Sequence, residues 1–190
     1  MSSIAVTASA TGTGVVTLVA PVTNTNQTIT FPDATGTLLS TATPGVPIGG
    51  PAFFAYTVTA QAIPTNTFTK IQFNVKTFDT ASAYDATTNY RFQPLVAGYY
   101  QVNTNVSGGG GSTGYCQIAI YKNGSQVVSG SGIPNNTNIG GLVTAATVIY
   151  LNGSTDYVEG FFWQNSGSTL NLQTAVGFNT FSAAMVRSAV

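Results

Sequence analysis

The chain has 190 residues, of which only 5% are charged, and its formal net charge is zero. Average globular proteins carry about 25% charged residues, so neutral polar side chains must cover most of this surface. Nucleic-acid binding needs clustered Lys and Arg. The five basic residues here are scattered, which argues against such a partner. A net charge near zero gives little electrostatic repulsion between copies, so we expect the chain to be part of a larger assembly.

The first 40 residues predict a small β module. Short strand patterns end at Pro21 and Pro32, and Asp33 opens a turn before a third short strand. Three short strands cannot bury a core alone, so we expect residues 1–40 to pack on a partner chain, on the following domain or on a larger surface. Residues 41–51 form a predicted Pro/Gly-rich linker. The N-terminus lacks the basic and apolar regions of a signal peptide, which predicts synthesis and folding in a cytosol.

Residues 52–190 predict a single all-β domain, because period-two alternation and turn signals continue to the end. The predicted strands number about ten and cover residues 53–58, 68–79, 89–93, 99–106, 115–122, 126–129, 142–151, 157–164, 170–174 and 178–186. Asn123-Gly124 and Asn152-Gly153 are turn signals. No helical periodicity occurs, and no apolar run approaches the length of a membrane span.

Residues 78–106 are the most informative stretch, since they predict an aromatic-rich hairpin that a sandwich must bury. Tyr90 and Phe92 share one face of a short strand, which Pro94 ends because it cannot donate to a ladder. The next strand has two faces: one with Tyr100, Val102 and Val106, and one with Tyr99, Gln101, Asn103 and Asn105.

Side chains suited to catalysis are few. The chain has no histidine, which removes the commonest general base, and Cys116 lies in an apolar strand pattern typical of a buried side chain. Two carboxylate pairs have the spacing to suggest a glycosidase: Asp79 with Asp85, and Asp156 with Glu159. The first pair could instead bind calcium, but turn formation explains it better. We therefore predict no enzyme, no cofactor and no metal site.

Three aromatic side chains near predicted loop ends could stack on sugars: Tyr84, Tyr90 and Trp163. Packing in the core is the commoner role of such residues, and we favour it for all three.

Several segments between residues 51 and 190 carry a family resemblance, in collinear order: Pro51–Ala55, Phe73–Phe78, Asn89–Pro94, Ala97–Val102, Tyr121–Gly124 and Phe181–Val186. This part of the chain resembles the C1q/TNF-like jelly-roll family. The resemblance implies a ten-strand jelly-roll sandwich and a homotrimer. It also implies that Tyr99, Gln101 and Asn103 face the threefold axis, while Tyr100 and Val102 fill the subunit core.

The N-terminal part departs from the familiar members of that family. Animal members carry a collagen-like Gly-X-Y stalk, and none occurs here. Instead, residues 30–39 (TFPDATGTLL) resemble a recurring segment of tailed-phage structural proteins. Together with the C1q-like domain, this segment indicates a bacteriophage virion protein, assembled in the host cytoplasm and displayed on the virion surface.

Two functional hypotheses follow from this resemblance. The first is a trimeric capsid decoration or cement protein on the head, which binds the major capsid protein or another virion protein through residues 1–40. The short N-terminal segment favours this first hypothesis, because it has too few residues to form a long shaft. The alternative is a short tail or head fibre, an adhesin whose C1q-like tip binds a host surface glycan or protein. A ligand-binding C1q-like protein outside viruses is a third possibility.

Overall fold

The computed structural model describes residues 49–109, 114–135 and 141–189. The predicted β module at residues 1–40 and most of the predicted linker at 41–51 lie outside the described residues. Within the described ranges the chain forms thirteen β-strands and no helix. The all-β prediction for this part of the chain is confirmed.

The strands follow each other in chain order as β1 (Ala52–Tyr56), β2 (Ala62–Ile63), β3 (Thr69–Lys70), β4 (Val75–Asp79), β5 (Tyr84–Asp85), β6 (Arg91–Phe92), β7 (Gly98–Ser107), β8 (Gly114–Lys122), β9 (Ser125–Asn135), β10 (Leu142–Leu151), β11 (Val158–Gln164), β12 (Leu170–Asn171) and β13 (Thr180–Ser188).

Two larger sheets and one small sheet organise these strands. A five-stranded sheet has the order β10-β7-β13-β1-β4, and a second sheet has the order β5-β6-β11-β8-β9, with β3 joined to β11. Strands β12 and β2 form the small sheet. Each strand pair is antiparallel. We call the two larger sheets the five-stranded sheet and, with β3 included, the six-stranded sheet.

The core between the two sheets is centred on the ring of Phe53, which is fully buried. Phe53 stacks on Tyr84 with ring centroids 4.5 Å apart and on Phe92 at 4.6 Å, and it meets Phe181 edge-on at 5.1 Å. Phe53 and Phe181 belong to the five-stranded sheet, whereas Tyr84 and Phe92 belong to the six-stranded sheet. The ring cluster therefore binds one sheet to the other.

Strand β7 shows the alternation that the sequence predicts. Tyr100, Val102 and Val106 are fully buried in the core. Thr104 lies on the same face and is buried as well, and its hydroxyl donates to the carbonyl oxygen of Thr180 at 3.1 Å. The opposite face of β7 points out of the sandwich.

The single strand predicted at residues 68–79 is wrong, because this segment contributes to both sheets. Thr69–Lys70 pairs with β11 in the six-stranded sheet, and Val75–Asp79 pairs with β1 in the five-stranded sheet. Ile71 and Phe73, between these two strands, are fully buried. Both point into the interior that the sheets share, so the period-two pattern continues while the chain crosses over.

The hairpin predicted within residues 78–106 is also different. Strands β5 and β6 do form an antiparallel pair, but β6 and the long strand β7 lie in different sheets. Tyr90 does not share a strand face with Phe92, since its φ of 49° places it in the left-handed region. The left-handed turn at Tyr90 leads directly into β6 at Arg91.

The two Asn-Gly signals have different outcomes. Asn123 and Gly124 have φ values of 52° and 77°, as a type I′ turn requires, and they join β8 to β9. Asn152 and Gly153 also turn the chain, but they carry it from β10 in one sheet to β11 in the other. Strand β9 extends to residue 135, beyond the predicted end at residue 129.

In the described part of the chain, no helix is long and apolar enough to cross a membrane.

We predict that Phe53→Ala lowers the free energy of unfolding by about 3–5 kcal/mol, because it leaves a cavity among three other aromatic rings. Phe178→Ala is the matched control, since Phe178 is 39% exposed in the loop before β13, and we expect a change below about 1 kcal/mol. Urea unfolding of both variants measures the difference. Equal destabilisation would contradict the central role of Phe53.

Candidate assembly surface

The outer face of the five-stranded sheet consists of the side chains that point away from the core. They come from β10, β7, β13, β1 and β4 in turn, and are Leu142, Thr144, Ala146, Val148, Tyr150, Tyr99, Gln101, Asn103, Asn105, Thr180, Ser182, Ala184, Arg187, Ala52, Phe54, Tyr56, Val75 and Phe78. Small and neutral residues dominate this face, and large apolar side chains lie among them.

The three residues that the sequence predicts at a subunit interface lie together on this face. Tyr99, Gln101 and Asn103 project in a row from β7, which has β10 on one side and β13 on the other. The side-chain amide of Gln101 donates to Asn103 Oδ1 at 3.0 Å. Tyr99 is 44% exposed. Their place at a threefold axis stays a prediction.

Neighbouring strands extend this row with apolar side chains that the sequence reasoning did not single out. Tyr150 lies opposite Tyr99, with ring centroids 5.5 Å apart, and Val148 next to it is 54% exposed. On the far side of the sheet, Phe54 and Phe78 stack at 6.4 Å. The alternation in β10 could have revealed the first two, whereas the Phe54–Phe78 contact depends on a pairing between β1 and β4 that no local pattern indicates.

Arg187 is the single charged side chain that the described strands of this sheet project from the outer face, and Lys122 of the other sheet lies at its border, with its ammonium 5.8 Å from the ring centroid of Tyr150. No described carboxylate forms an ion pair with it. A groove of about 400 Å³ at this end of the sheet is lined by Tyr99, Tyr150 and Arg187. A face with so little charge can be removed from water without the large desolvation penalty that ions incur.

The first carboxylate pair of the sequence serves as turn structure. Asp79 accepts backbone N–H groups of Ala83 and Tyr84, both at 3.0 Å, and the ammonium of Lys76 at 3.3 Å. Burial raises the pKa of Asp79, but these hydrogen bonds and the Lys76 charge outweigh it and hold the pKa below the usual value.

Asp85 is bonded in the same manner. It accepts the backbone N–H groups of Thr87, Thr88 and Asn89 at 2.9–3.0 Å, and the amide of the Asn89 side chain at 2.8 Å. These bonds, that of Thr88 first, lower the pKa of Asp85 well below its usual range. Both carboxylate oxygens of Asp85 accept N–H groups of the turn, which is the structural role that the sequence predicts for it. Among the residues described, no three acidic, Cys or His side chains cluster as metal ligands.

The second carboxylate pair is neutralised by lysines. Glu159 binds Lys70 at 2.9 Å. Asp156 binds Lys122 at 2.7 Å and also accepts the side-chain amide of Asn123 at 2.7 Å and the backbone N–H of Asn152 at 3.1 Å. A catalytic pair would need one acid with a raised pKa. Burial does raise the pKa of Asp156, but the contacts with Lys122, Asn123 and Asn152 outweigh it and lower the pKa overall.

The remaining sequence candidates have separate positions. Cys116 is fully buried, and burial raises the pKa of its thiol, which disfavours the reactive thiolate. Tyr84 packs in the core, where its hydroxyl donates to the carbonyl oxygen of Phe73 at 3.0 Å. Trp163 is half-buried on the outer face of the six-stranded sheet, and Tyr90 is half-buried in the turn before β6, so the core packing predicted for these two residues is wrong. The structure therefore does not bring Tyr84 and Trp163 into one sugar site.

Comparison with solved structures identifies the fold. The globular domain of zebrafish complement 1qA is 16% identical, with a TM-score of 0.52, over 74% of this chain and 99% of that chain. The crystal structure of murine APRIL at pH 5.0 is 10% identical, with a TM-score of 0.53, over 72% of this chain and 99% of that chain. The PRD1 vertex protein P5 is 17% identical, with a TM-score of 0.51, over 72% and 97%. The predicted C1q/TNF-like jelly roll is thus confirmed.

Neither a scan against protein-family models nor a search of curated proteins gave a match to the sequence.

We predict that Asp156→Asn lowers the free energy of unfolding by about 2 kcal/mol at pH 7, because it removes charge-assisted hydrogen bonds. The folded-state pKa of Asp156 lies below the ordinary value of an aspartate carboxyl group. The stabilisation is therefore fully present above about pH 4 and is lost as the pH falls through the folded-state pKa. Denaturant unfolding should show the two proteins converging between pH 7 and pH 2.

Lys122→Met supplies the control, since it removes the other partner of the ion pair. In the Lys122→Met background, Asp156→Asn should have a smaller effect than in the wild type, because the two changes remove one interaction. A loss that is the same at pH 7 and pH 2, or strictly additive with Lys122→Met, would contradict the ion pair as its cause.

Proposed function

We propose that the jelly-roll domain associates as a homotrimer through the outer face of the five-stranded sheet, and that the trimer is a structural protein of a virion. The observation that carries the proposal is this face itself, which presents Tyr99, Val148, Tyr150 and Phe78 to water with Arg187 as its single charge. Protein interfaces are enriched in aromatic residues and depleted of charge in the same manner.

The geometry of the face suits three copies of one chain. Tyr99, Gln101 and Asn103 run in line along β7, so each subunit can present the same row to two neighbours around an axis. The side-chain amides offer both donors and acceptors to the amides of other copies. Small side chains beside the row, such as Ala146 and Ser182, allow close approach of the backbones.

A place on a virion is supported by two further observations. A protein with this fold, P5 of PRD1, is a vertex protein. Residues 30–39 resemble a segment of tailed-phage structural proteins. In this proposal residues 1–40 bind the major capsid protein or a neighbouring virion protein, and the trimer decorates the surface of the head.

A receptor-binding fibre is the second candidate. It is favoured by the row of aromatic side chains on the outer face of the six-stranded sheet, Phe68, Tyr121, Phe161 and Trp163, which faces away from the proposed trimer interface. Such a fibre would have the same subunit association, so the two candidates differ in position and copy number.

Gln101→Glu should weaken the trimer, because it places three carboxylates close together at an interface that excludes water. We expect the dissociation constant to rise at least tenfold, about 1.4 kcal/mol, as sedimentation velocity would measure. Gln117→Glu is the matched control: the same change at a half-buried position on the outer face of the other sheet. It should leave the trimer intact.

Two results would overturn the proposed association. One is a wild-type protein that sediments as a monomer at all concentrations, and the other is an equal effect of the two substitutions. The wild-type dissociation constant should also change little between low and molar salt, since a neutral interface gives salt few charges to screen.

Copy number decides between decoration and fibre. Decoration predicts hundreds of copies per particle on the head, measured by quantitative mass spectrometry of purified virions and located by antibody labelling in the electron microscope. A few copies confined to the tail would establish the fibre instead. Absence from purified virions would contradict both virion roles. It would not bear on the homotrimer, which sedimentation velocity tests separately.

A further inference from the structure

The outer face of the six-stranded sheet carries a continuous row of aromatic rings. Phe161 stacks on Tyr121 with centroids 4.0 Å apart and an interplanar angle of 25°. Phe68 lies 6.0 Å from Tyr121 and 6.3 Å from Trp163. We call these four side chains the aromatic platform.

The platform is separate from the core. Along β11 the inward positions are taken by fully buried residues such as Val158 and Phe162, and Phe161 and Trp163 alternate with them on the outside. All four platform residues remain half-buried in the free subunit. Their packing against each other holds the rings in place, so a ligand would meet a preformed surface with little loss of conformational entropy.

Hydrogen-bonding groups border the platform on its β8–β9 side. The side-chain amide of Gln117 donates to Ser129 Oγ at 2.8 Å, and that of Gln126 donates to the same oxygen at 3.3 Å. Amides and hydroxyls both donate and accept. They can therefore match the hydroxyls of a sugar, which do the same.

The charges on this face are balanced. Lys70 pairs with Glu159 at 2.9 Å. Arg91 lies over the ring of Tyr157, 4.3 Å from its centroid, and its cross-strand neighbour is Asp85. Two cations and two carboxylates leave no net charge, so electrostatic complementarity favours an uncharged ligand over a nucleic acid or an acidic glycan.

We propose that the aromatic platform binds a neutral oligosaccharide. The faces of the rings carry partial negative charge, which attracts the polarised C–H groups on one face of a pyranose, and the amides beside them bind its hydroxyls. This site lies on the sheet opposite the proposed trimer interface, and it does not depend on whether the protein is a decoration protein or a fibre.

Trp163 makes the proposal directly testable, because it is the only tryptophan of the chain. The full-length protein is screened on an array of neutral and sialylated oligosaccharides, and the strongest neutral binder is then titrated against tryptophan fluorescence. We expect a saturable change in emission, protection of Trp163 from acrylamide quenching, and a dissociation constant that does not change between low and molar salt.

Phe161→Ala should weaken binding at least tenfold while keeping the Trp163 signal. Gln117→Ala serves as a second variant, because its half-buried side chain lies on the outer face beside the platform; we expect a severalfold loss of affinity. Phe178→Ala, in a loop away from the platform, should bind like the wild type. Thermal unfolding confirms that each variant is folded.

Several results would overturn the proposal: no neutral oligosaccharide bound on the array, binding confined to sialylated ones, or binding that leaves the Trp163 emission unchanged. Full affinity in both Phe161→Ala and Gln117→Ala would do the same, because the sugar would then lie elsewhere.

Discussion

The contact between Phe53 and the rings of Tyr84 and Phe92 is the interaction on which the rest of the structure depends. Each sheet alone would have one apolar face open to water, and these rings close the two faces onto each other at van der Waals distance. Aromatic pairs in such geometry contribute more than the area they bury. With the interior closed in this way, the strands of each larger sheet keep one row of side chains on the outside. The outer faces of the two sheets are therefore available for function.

The two outer surfaces have different chemistry, although both belong to a chain with 5% charged residues. On the five-stranded sheet, small side chains and amides surround exposed tyrosines, and Arg187 is unpaired among the described ionic residues. On the six-stranded sheet, Lys70 and Glu159 neutralise each other beside stacked rings. The first surface has the aromatic, charge-poor composition of a protein interface, whereas the second combines aromatic rings with hydrogen-bonding groups.

Much of the architecture could be predicted from alternation, but the assignment of strands to sheets could not. The two faces of β7 are correct because side-chain direction has a strict period of two. The same period continues through residues 68–79, where Ile71 and Phe73 point into an interior common to both sheets, so it could not show that this segment divides into two strands of different sheets. Alternation failed at Tyr90 because the local turn, and not a strand, fixes its left-handed backbone conformation. Alternation in β10 could have placed Tyr150 on an outer face, but the positions of Tyr150 and Arg187 next to Tyr99 depend on long-range pairing that no local pattern indicates.

The position of β13 in the five-stranded sheet has a kinetic consequence. It lies between β7 and β1, so the register of Ala52 with Ala184 joins segments from opposite ends of the domain. Such high contact order is typical of slow folding. Until β13 emerges from the ribosome, β1 and β7 have unpaired edges that can join other chains. The nascent protein thus passes through an aggregation-prone interval that ends only when β13 inserts between β7 and β1.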